Sequence, residues 1–318
     1  MRVVFLGSGA FGLPTFDRIR DAFEVPLVVS QPDRPAGRGR QDTPTPIATR
    51  ALEDADSVEL VRTASVNDPE TLARIERARP DALVVIAFGQ KIGPELLDRY
   101  FAVNLHASLL PRWRGAAPIN RAMMAGDTTT GVSVISLAER MDAGEVHTTR
   151  RLEIDPAETA GELHDRLALL GPDAVEEVLR RRDRGEVRTT SQDESEVTHA
   201  AKLHRRDGTV DLRLDATAVR ARIHGLAPWP GCDLAVRVDG TPATPDRLRI
   251  HRVGSSDRTD LEAGTLLPDG TLGCGIGAVR LLEVQAPGGR MLDWASFTRG
   301  RGLPENARLE QLHPEAGS

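Results

Sequence analysis

From Arg2 onward the chain alternates short, nearly continuous apolar runs with stretches of helical length, and few folds tolerate that pattern. Arg2–Gly7 (Arg-Val-Val-Phe-Leu-Gly) closes on glycine, gives way to a helix-compatible stretch from Pro14, and is followed by a second apolar run at 25–30. Residues 58–62, a helical pattern over 68–78, the apolar 82–87 and Phe101–His106 continue the series. Unbroken apolar runs belong to strands buried on both faces, and strands separated by helices pair in parallel through crossovers. The reading is an α/β domain with a Rossmann-like, doubly wound sheet. Two more strands are expected at 132–137 and 145–154. Thr159 and Glu162 form a capping box for one long helix running to about Arg184, which closes the domain.

Residues 192–206 turn polar and charged, the composition of a linker, which sets the expected domains at 1–191 and 207–318. Beyond the linker a helix over 215–223 precedes strand-like runs at 234–238, 248–253, 264–267, 271–274 and 279–285, separated by Gly, Pro and Asp turns. Five short strands with little helix predict a small OB-like β-barrel.

Composition narrows the function. No run approaches the roughly 18 to 20 apolar residues that cross a bilayer, and the N-terminus opens into a strand instead of a charged leader. A cytoplasmic chain without membrane attachment is expected. Two cysteines, Cys232 and Cys274, cannot build a disulfide framework or a Cys-rich metal site. The histidines, such as His164 and His313, show no metal-ligand spacing, so no metal is expected. Net charge is -6, but Lys and Arg number 25 against 32 acids up to residue 201 and 16 against 15 from Lys202 onward. A nucleic-acid surface must therefore be a local patch, with more room for it in the second half.

Gly7-Ser8-Gly9-Ala10-Phe11-Gly12 fits the dinucleotide fingerprint between a strand and a helix, which opens a nicotinamide-dependent oxidoreductase as an alternative. The second strand, however, ends Ser30-Gln31-Pro32-Asp33, so the acid that would hold a ribose already lies inside a loop. A tight strand-to-helix turn accounts for the glycines. The richer chemistry lies in Asn104-Leu105-His106-Ala107-Ser108-Leu109-Leu110-Pro111-Arg112-Trp113-Arg114-Gly115. Asn104 and His106 are two apart on a strand and share a face, at the edge where open α/β sheets bind ligands. An amide can hold the oxyanion of a tetrahedral intermediate while an imidazole handles the proton of an attacking amine. Asp142, in Met141-Asp142-Ala143-Gly144, is the acid expected to orient that imidazole.

This run, with Asp142 in its turn, resembles the active-site signature of the 10-formyltetrahydrofolate-dependent formyltransferases. Residues 104–126, the loop Gln31-Pro32-Asp33-Arg34-Pro35-Ala36-Gly37-Arg38-Gly39 and Pro228-Trp229-Pro230 extend the resemblance toward members that act on methionyl initiator tRNA, and 281–291 is similar to the end of their C-terminal domain. The first turn departs from the family, which more often has Gly-Thr-Pro where this chain has Gly7-Ser8-Gly9. The resemblance implies 10-formyltetrahydrofolate as formyl donor and methionyl initiator tRNA as acceptor; a monomer is expected. Asn104, His106 and Asp142 would be its catalytic trio. The folate pteridine would be held around Phe88, Gly89, Gln90, Lys91, Ile92 and Met141, with Ser108, Leu109, Leu110 and Pro111 shaping the formyl site.

The resemblance also implies that loop 33–40 enters the acceptor end of the tRNA. Arg34, Arg38 and Arg40 can bond phosphate or base edges there, while Gly37 and Gly39 permit close approach. Lys202, Arg205 and Arg206, with Arg247, Arg249, Arg290, Arg299 and Arg301, are expected phosphate contacts. Trp229 is expected to be a packing anchor, and Trp113 either a lid or a stacking platform. A formyltransferase for a small amine, such as glycinamide ribonucleotide or an amino-sugar nucleotide, is the nearest alternative, and a noncatalytic RNA-binding module a further one. The arginine-bearing loop and the separate β domain favour tRNA over the small amine. A pure binding module gives no reason for Asn104 and His106 to share a face.

Overall fold

A computed structural model describes residues 1–36, 41–53, 58–300, 302–304 and 306–312. The chain divides into two compact units, one of Met1–Gly115, Thr130–Leu152 and His164–His199, the other of Ala116–Thr129, Glu153–Leu163 and Ala200–Ser318.

The first unit is built on a seven-stranded sheet. In chain order its seven sheet strands and the first three helices are β1 (Arg2–Gly7), α1 (Leu13–Ala22), β2 (Glu24–Ser30), α2 (Pro46–Leu52), β3 (Glu59–Arg62), α3 (Pro69–Ala78), β4 (Ala82–Ile86), β5 (Phe101–His106), β6 (Thr129–Ser136) and β7 (Val146–Glu153). The strands lie in the order β7-β6-β5-β4-β1-β2-β3. β1 pairs in parallel with β2 and β4, β2 with β3, and β4 with β5, whereas β6 runs antiparallel to β5. Val3, Val4, Phe5 and Leu6, and all of β4, are buried. Both faces of these strands thus leave water, at about 1.5–3 kcal/mol for each large side chain. Helix starts follow their caps: the Asp68 carboxylate accepts from the N–H groups of Glu70 and Thr71, both at 3.0 Å, and Pro69 takes the first position of α3. The strand order reverses at β1, so the ligand crevice of such a sheet falls at the carboxyl ends of β1 and β4.

The glycines of the first turn serve contact between loops. The Gly9 N–H donates to the Ala87 carbonyl at 3.1 Å, and a Cβ on Gly9 would meet the Ala87 Cβ at 3.0 Å. The loop after β1 thereby touches the loop after β4. The long helix expected from Thr159 is two helices, α4 (Ala160–Ala168) and α5 (Gly171–Asp183). Its capping box is present, with the Thr159 N–H donating to Glu162 Oε2 at 2.7 Å. Pro172 supplies no N–H and its ring crowds the carbonyl four residues back, so the first helix cannot continue through it.

The second unit holds β8 (Cys232–Val238), β9 (Thr241–Ser256), β10 (Thr271–Gly273), β11 (Ala278–Gln285) and β12 (Arg308–Gln311), ordered β10-β11-β9-β8-β12. Residues 264–267, read as a strand, form instead the seam of the barrel. Gly264 donates to the Gly273 carbonyl at 3.0 Å and accepts from the Leu309 N–H at 2.9 Å, and Thr265 bridges Arg308, which joins β10 to β12. The result is an OB-like barrel. The strand expected at 248–253 is the middle of the 16-residue β9, whose register shifts between Ile250 and Arg252. Leu234, Val236, Leu248, Ile250, Leu272, Val279, Leu281 and Leu309 fill the core, joined by Val219 and Ile223 of α6 (Ala216–Leu226). Asp215 caps α6 by accepting from the Ala218 N–H at 2.9 Å. Among the described residues, no helix is long and apolar enough to cross a membrane.

Candidate active site

His106 ends β5, opposite Ser133 of β6, and Asn104 shares its face of the strand. Leu105, between them, is turned to the other side and buried. His106 is 6% exposed. Its Nε2 hydrogen-bonds the Trp113 carbonyl at 2.9 Å, and its Nδ1 lies 3.6 Å from Asp142 Oδ1, a charge-pair distance outside hydrogen-bond reach. Both ring nitrogens therefore face oxygen. A proton taken up by the ring meets an acceptor whichever nitrogen carries it. The Asn104 amide is half-buried and, among the described residues, has no hydrogen-bond partner, so its donors are available to a ligand.

Asp142 has φ 53°, the left-handed region that costs a non-glycine residue about 1 kcal/mol. The Gly115 N–H donates to its Oδ2 at 2.8 Å. The Gln192 side-chain amide donates to the Asp142 carbonyl at 2.8 Å and to the Gly144 carbonyl at 2.7 Å. At Gly144 a Cβ would come within 1.7 Å of the Ser136 carbonyl, so only glycine fits where the turn passes the end of β6. Arg114, 4% exposed, donates Nε–H to Gln192 Oε1 at 3.0 Å and an Nη2–H to Glu194 Oε1 at 2.8 Å. Hydrogen bonds from Arg114, then Arg140, hold the Glu194 carboxyl below its ordinary range. Trp113, also left-handed at φ 63°, donates its N–H to Thr198 Oγ1 at 2.8 Å and carries the Arg112 guanidinium 5.4 Å from its ring centre.

The loops expected to meet folate are fixed from beneath. Ser108 is fully buried, donates to the Arg112 carbonyl at 2.6 Å, and accepts at its own carbonyl from Ser133 Oγ at 2.7 Å. Ser133 Oγ in turn accepts from the Leu110 N–H at 3.1 Å. Leu110 is buried, while Leu109 and Pro111 are part-exposed. After β4, Ala87 and Gly89 are left-handed at φ 46° and 74°. The carbonyl of buried Phe88 accepts from Gln31 Nε2 at 2.6 Å. Gln90 accepts from the Val66 N–H at 2.6 Å and donates to the Thr63 carbonyl at 2.8 Å. Ile92 is buried, Lys91 is exposed, and the apolar side chain of Met141 is 73% exposed beside Asp142.

Of the residues expected to meet tRNA, Arg34 stands exposed on a two-stranded ribbon of Arg34–Ala36 with Gln41–Thr43, and contacts Gln31 Oε1. Arg38 and Arg40 lie outside the described residues, as do Gly37, Gly39, Arg301 and His313. Lys202, Arg205 and Arg206 are exposed. Arg249 is committed to a two-point pair with Asp233 at 2.8 and 2.9 Å, which compensates its charge. Trp229 is not the buried anchor its flanking prolines suggested: Ala227 and Pro230 are buried and the indole is 53% exposed. The sequence marks neither Gln192 nor Arg114 as a site residue: Gln192 sits in a polar stretch whose composition reads as linker, and Arg114 stands without an evident role in the run 104–115. The pairing that marks them exists only in three dimensions.

Residues 1–179 match the formyl transferase family, and 202–302 match the formyl transferase C-terminal domain. The methionyl-tRNA formyltransferase of Aromatoleum aromaticum is 38% identical over 317 residues, covering 98% of this chain and 97% of that protein. That of Ruegeria pomeroyi is 38% identical over 313 residues, covering 97% of this chain and 100% of that protein. Among solved structures, methionyl-tRNA formyltransferase from Clostridium thermocellum superposes with TM-score 0.53 at 16% identity over 81% of this chain and 94% of that one. HypX from Aquifex aeolicus, in complex with tetrahydrofolic acid, superposes with TM-score 0.62 at 18% identity over 94% of this chain and 47% of that one. At these identities the solved structures speak for the fold.

Proposed function

The chain belongs to the formyl transferase family through both of its domains, and from that premise we propose that it transfers the formyl group of 10-formyltetrahydrofolate to the α-amino group of methionine carried by initiator tRNA. The observation that carries the reading is His106 set 3.6 Å from Asp142, with Asn104 on the same strand face, in a chain alike over nearly its whole length to methionyl-tRNA formyltransferases. The neutral amine attacks the formyl carbon, forming the new C–N bond. Negative charge develops on the formyl oxygen, where the Asn104 amide donates to it. His106 takes the amine proton and returns it to the departing folate nitrogen as the old C–N bond breaks, and Asp142 steadies the imidazole while it is charged.

Met141, with the exposed residues Gly89 and Lys91, suits a flat ring with a polar edge, and the residue 108–111 loop is our choice for the formyl end. Arg34, Lys202, Arg205 and Arg206, all exposed, are our choices for phosphate contacts. A charged-tRNA substrate and two free, buried cysteines suit the reducing cytoplasm, and we take the enzyme to act there as a monomer. The test offers labelled 10-formyltetrahydrofolate with methionyl initiator tRNA, methionyl elongator tRNA, glycinamide ribonucleotide and an amino-sugar nucleotide in parallel. Label mainly on the initiator species is the expected result. Label on a small amine would overturn the substrate, and no label on any acceptor would overturn the reaction.

A further inference from the structure

We propose that Gln192 is a positioning residue for formyl transfer, acting through Asp142, and that Arg114 and Glu194 lock it in place; this rests on the catalytic role given to Asp142 above. The contacts form a closed ring. Asp142 Oδ2 accepts from the Gly115 N–H, the preceding residue Arg114 donates its Nε–H to Gln192 Oε1, and Gln192 Nε2 returns to the Asp142 carbonyl. A second Nε2 hydrogen reaches the Gly144 carbonyl, two residues further along the turn. The turn is gripped at its backbone by one side chain and at its carboxylate by the neighbour of the arginine that holds that side chain.

The chemistry of the ring admits one orientation of Gln192. Two carbonyls require hydrogen donors, which only the amide nitrogen supplies, and the Arg114 guanidinium requires an acceptor, which only the amide oxygen supplies. A flipped amide would oppose oxygen to oxygen at both carbonyls and nitrogen to nitrogen at the arginine. Arg114 cannot relax toward water because it is 4% exposed, and its second donor is taken by Glu194. A left-handed aspartate persists only where its surroundings over-determine it, and the Gln192 bonds span the carbonyls of Asp142 and Gly144 across that position. The segment that follows is fixed alongside: Thr198 accepts from the N–H of Trp113 at its hydroxyl and from the N–H of Arg114 at its carbonyl, at 2.8 and 2.9 Å. Trp113 is the residue whose carbonyl meets His106 Nε2. The stretch 192–198 therefore sets both oxygens that face the imidazole, Asp142 on one side and the Trp113 carbonyl on the other.

The experiment is a double-mutant cycle in the full-length chain with Gln192→Met, which keeps the length and removes every hydrogen bond, and Asp142→Asn. Gln192→Met is expected to lower kcat by about ten- to a hundredfold, as a small misplacement of a catalytic group does, with KM for both substrates within about threefold. Its kcat–pH profile should shift in the direction that Asp142→Asn shifts it. The double variant should be no slower than Asp142→Asn alone, since a residue acting only through Asp142 has nothing left to position. A Gln192→Met kcat within twofold of the wild type, or a loss that multiplies with that of Asp142→Asn, overturns the proposal. Should Asp142→Asn itself keep wild-type kcat, the role of Asp142 fails first and the proposal falls with it. Gln192→Asn, one methylene shorter, is read through the same cycle if Gln192→Met does not fold.

Discussion

Asn104 and His106 were legible because a strand's alternation is local: two residues apart means one face, whatever else the chain does. What they accomplish is not local. Replacing Asn104 with Ala should cost at least about a hundredfold in kcat with little change in stability, because the amide is half-buried and, among the described residues, unpartnered. His106→Ala should lose as much, on the scale of one acid/base group. Steady-state formylation beside thermal denaturation checks both, and near-wild-type turnover in the pair would remove the mechanism. Gly144→Ala is a different case, since its Cβ would sit 1.7 Å from a backbone oxygen that cannot rotate away. The turn must shift, at about 1–3 kcal/mol of stability, with kcat falling alongside because Asp142 shares the turn; a melt and a rate on one preparation decide it. Trp229 shows the limit of residue-scale reading: its prolines fix its backbone, but which side of the chain is covered depends on what packs there.

Elements were readable in kind and less so in extent. Helix existence follows from periodicity and caps: Thr159 caps where expected, and Asp68 and Asp215, at the starts of two expected helices, prove to be caps as well. The single helix expected from the capping box to about Arg184 breaks before α5, because Pro172 in its first turn lets a helix start but not continue. β9 ran long because a strand in a barrel extends as far as its neighbours pair, which periodicity cannot report. On α6, His224 is 2% exposed, accepts from the Val253 N–H at Nε2 at 3.1 Å, and has Arg252 and Arg220 near it. Burial first, then those two charges, push its pKa down to about 4 from 6.5. Because the folded value is the lower one, His224 contributes fully above pH 6.5, and the contribution drains away as pH falls toward 4. Between pH 7 and 4.5 this amounts to about 2 kcal/mol. Urea denaturation at the two pH values should show a smaller drop for His224→Gln, which accepts the same N–H and does not titrate. An unchanged drop would mean other groups carry the acid sensitivity.

For the whole molecule, charge and architecture separate. A chain of net charge -6 that binds a polyanion must do so through a local basic patch. Raising salt from 50 to 200 mM should therefore raise the KM for tRNA by about tenfold or more, while the KM for the folate moves far less; equal changes in both would argue against a phosphate-tracking surface. The doubly wound sheet and the barrel were determined by the sequence alone, because hydrophobic period, turn residues and crossover length act over a few residues at a time. So was the Asn-x-His register at the carboxyl edge of β5. The tertiary structure alone decided that residues 264–267 close the barrel, that Trp229 faces outward, and that a polar stretch beginning at Gln192 grips the turn bearing Asp142. Each of these depends on partners distant along the chain, and a hydrogen bond between them is fixed by where the packed elements bring donor and acceptor together, which no local pattern encodes.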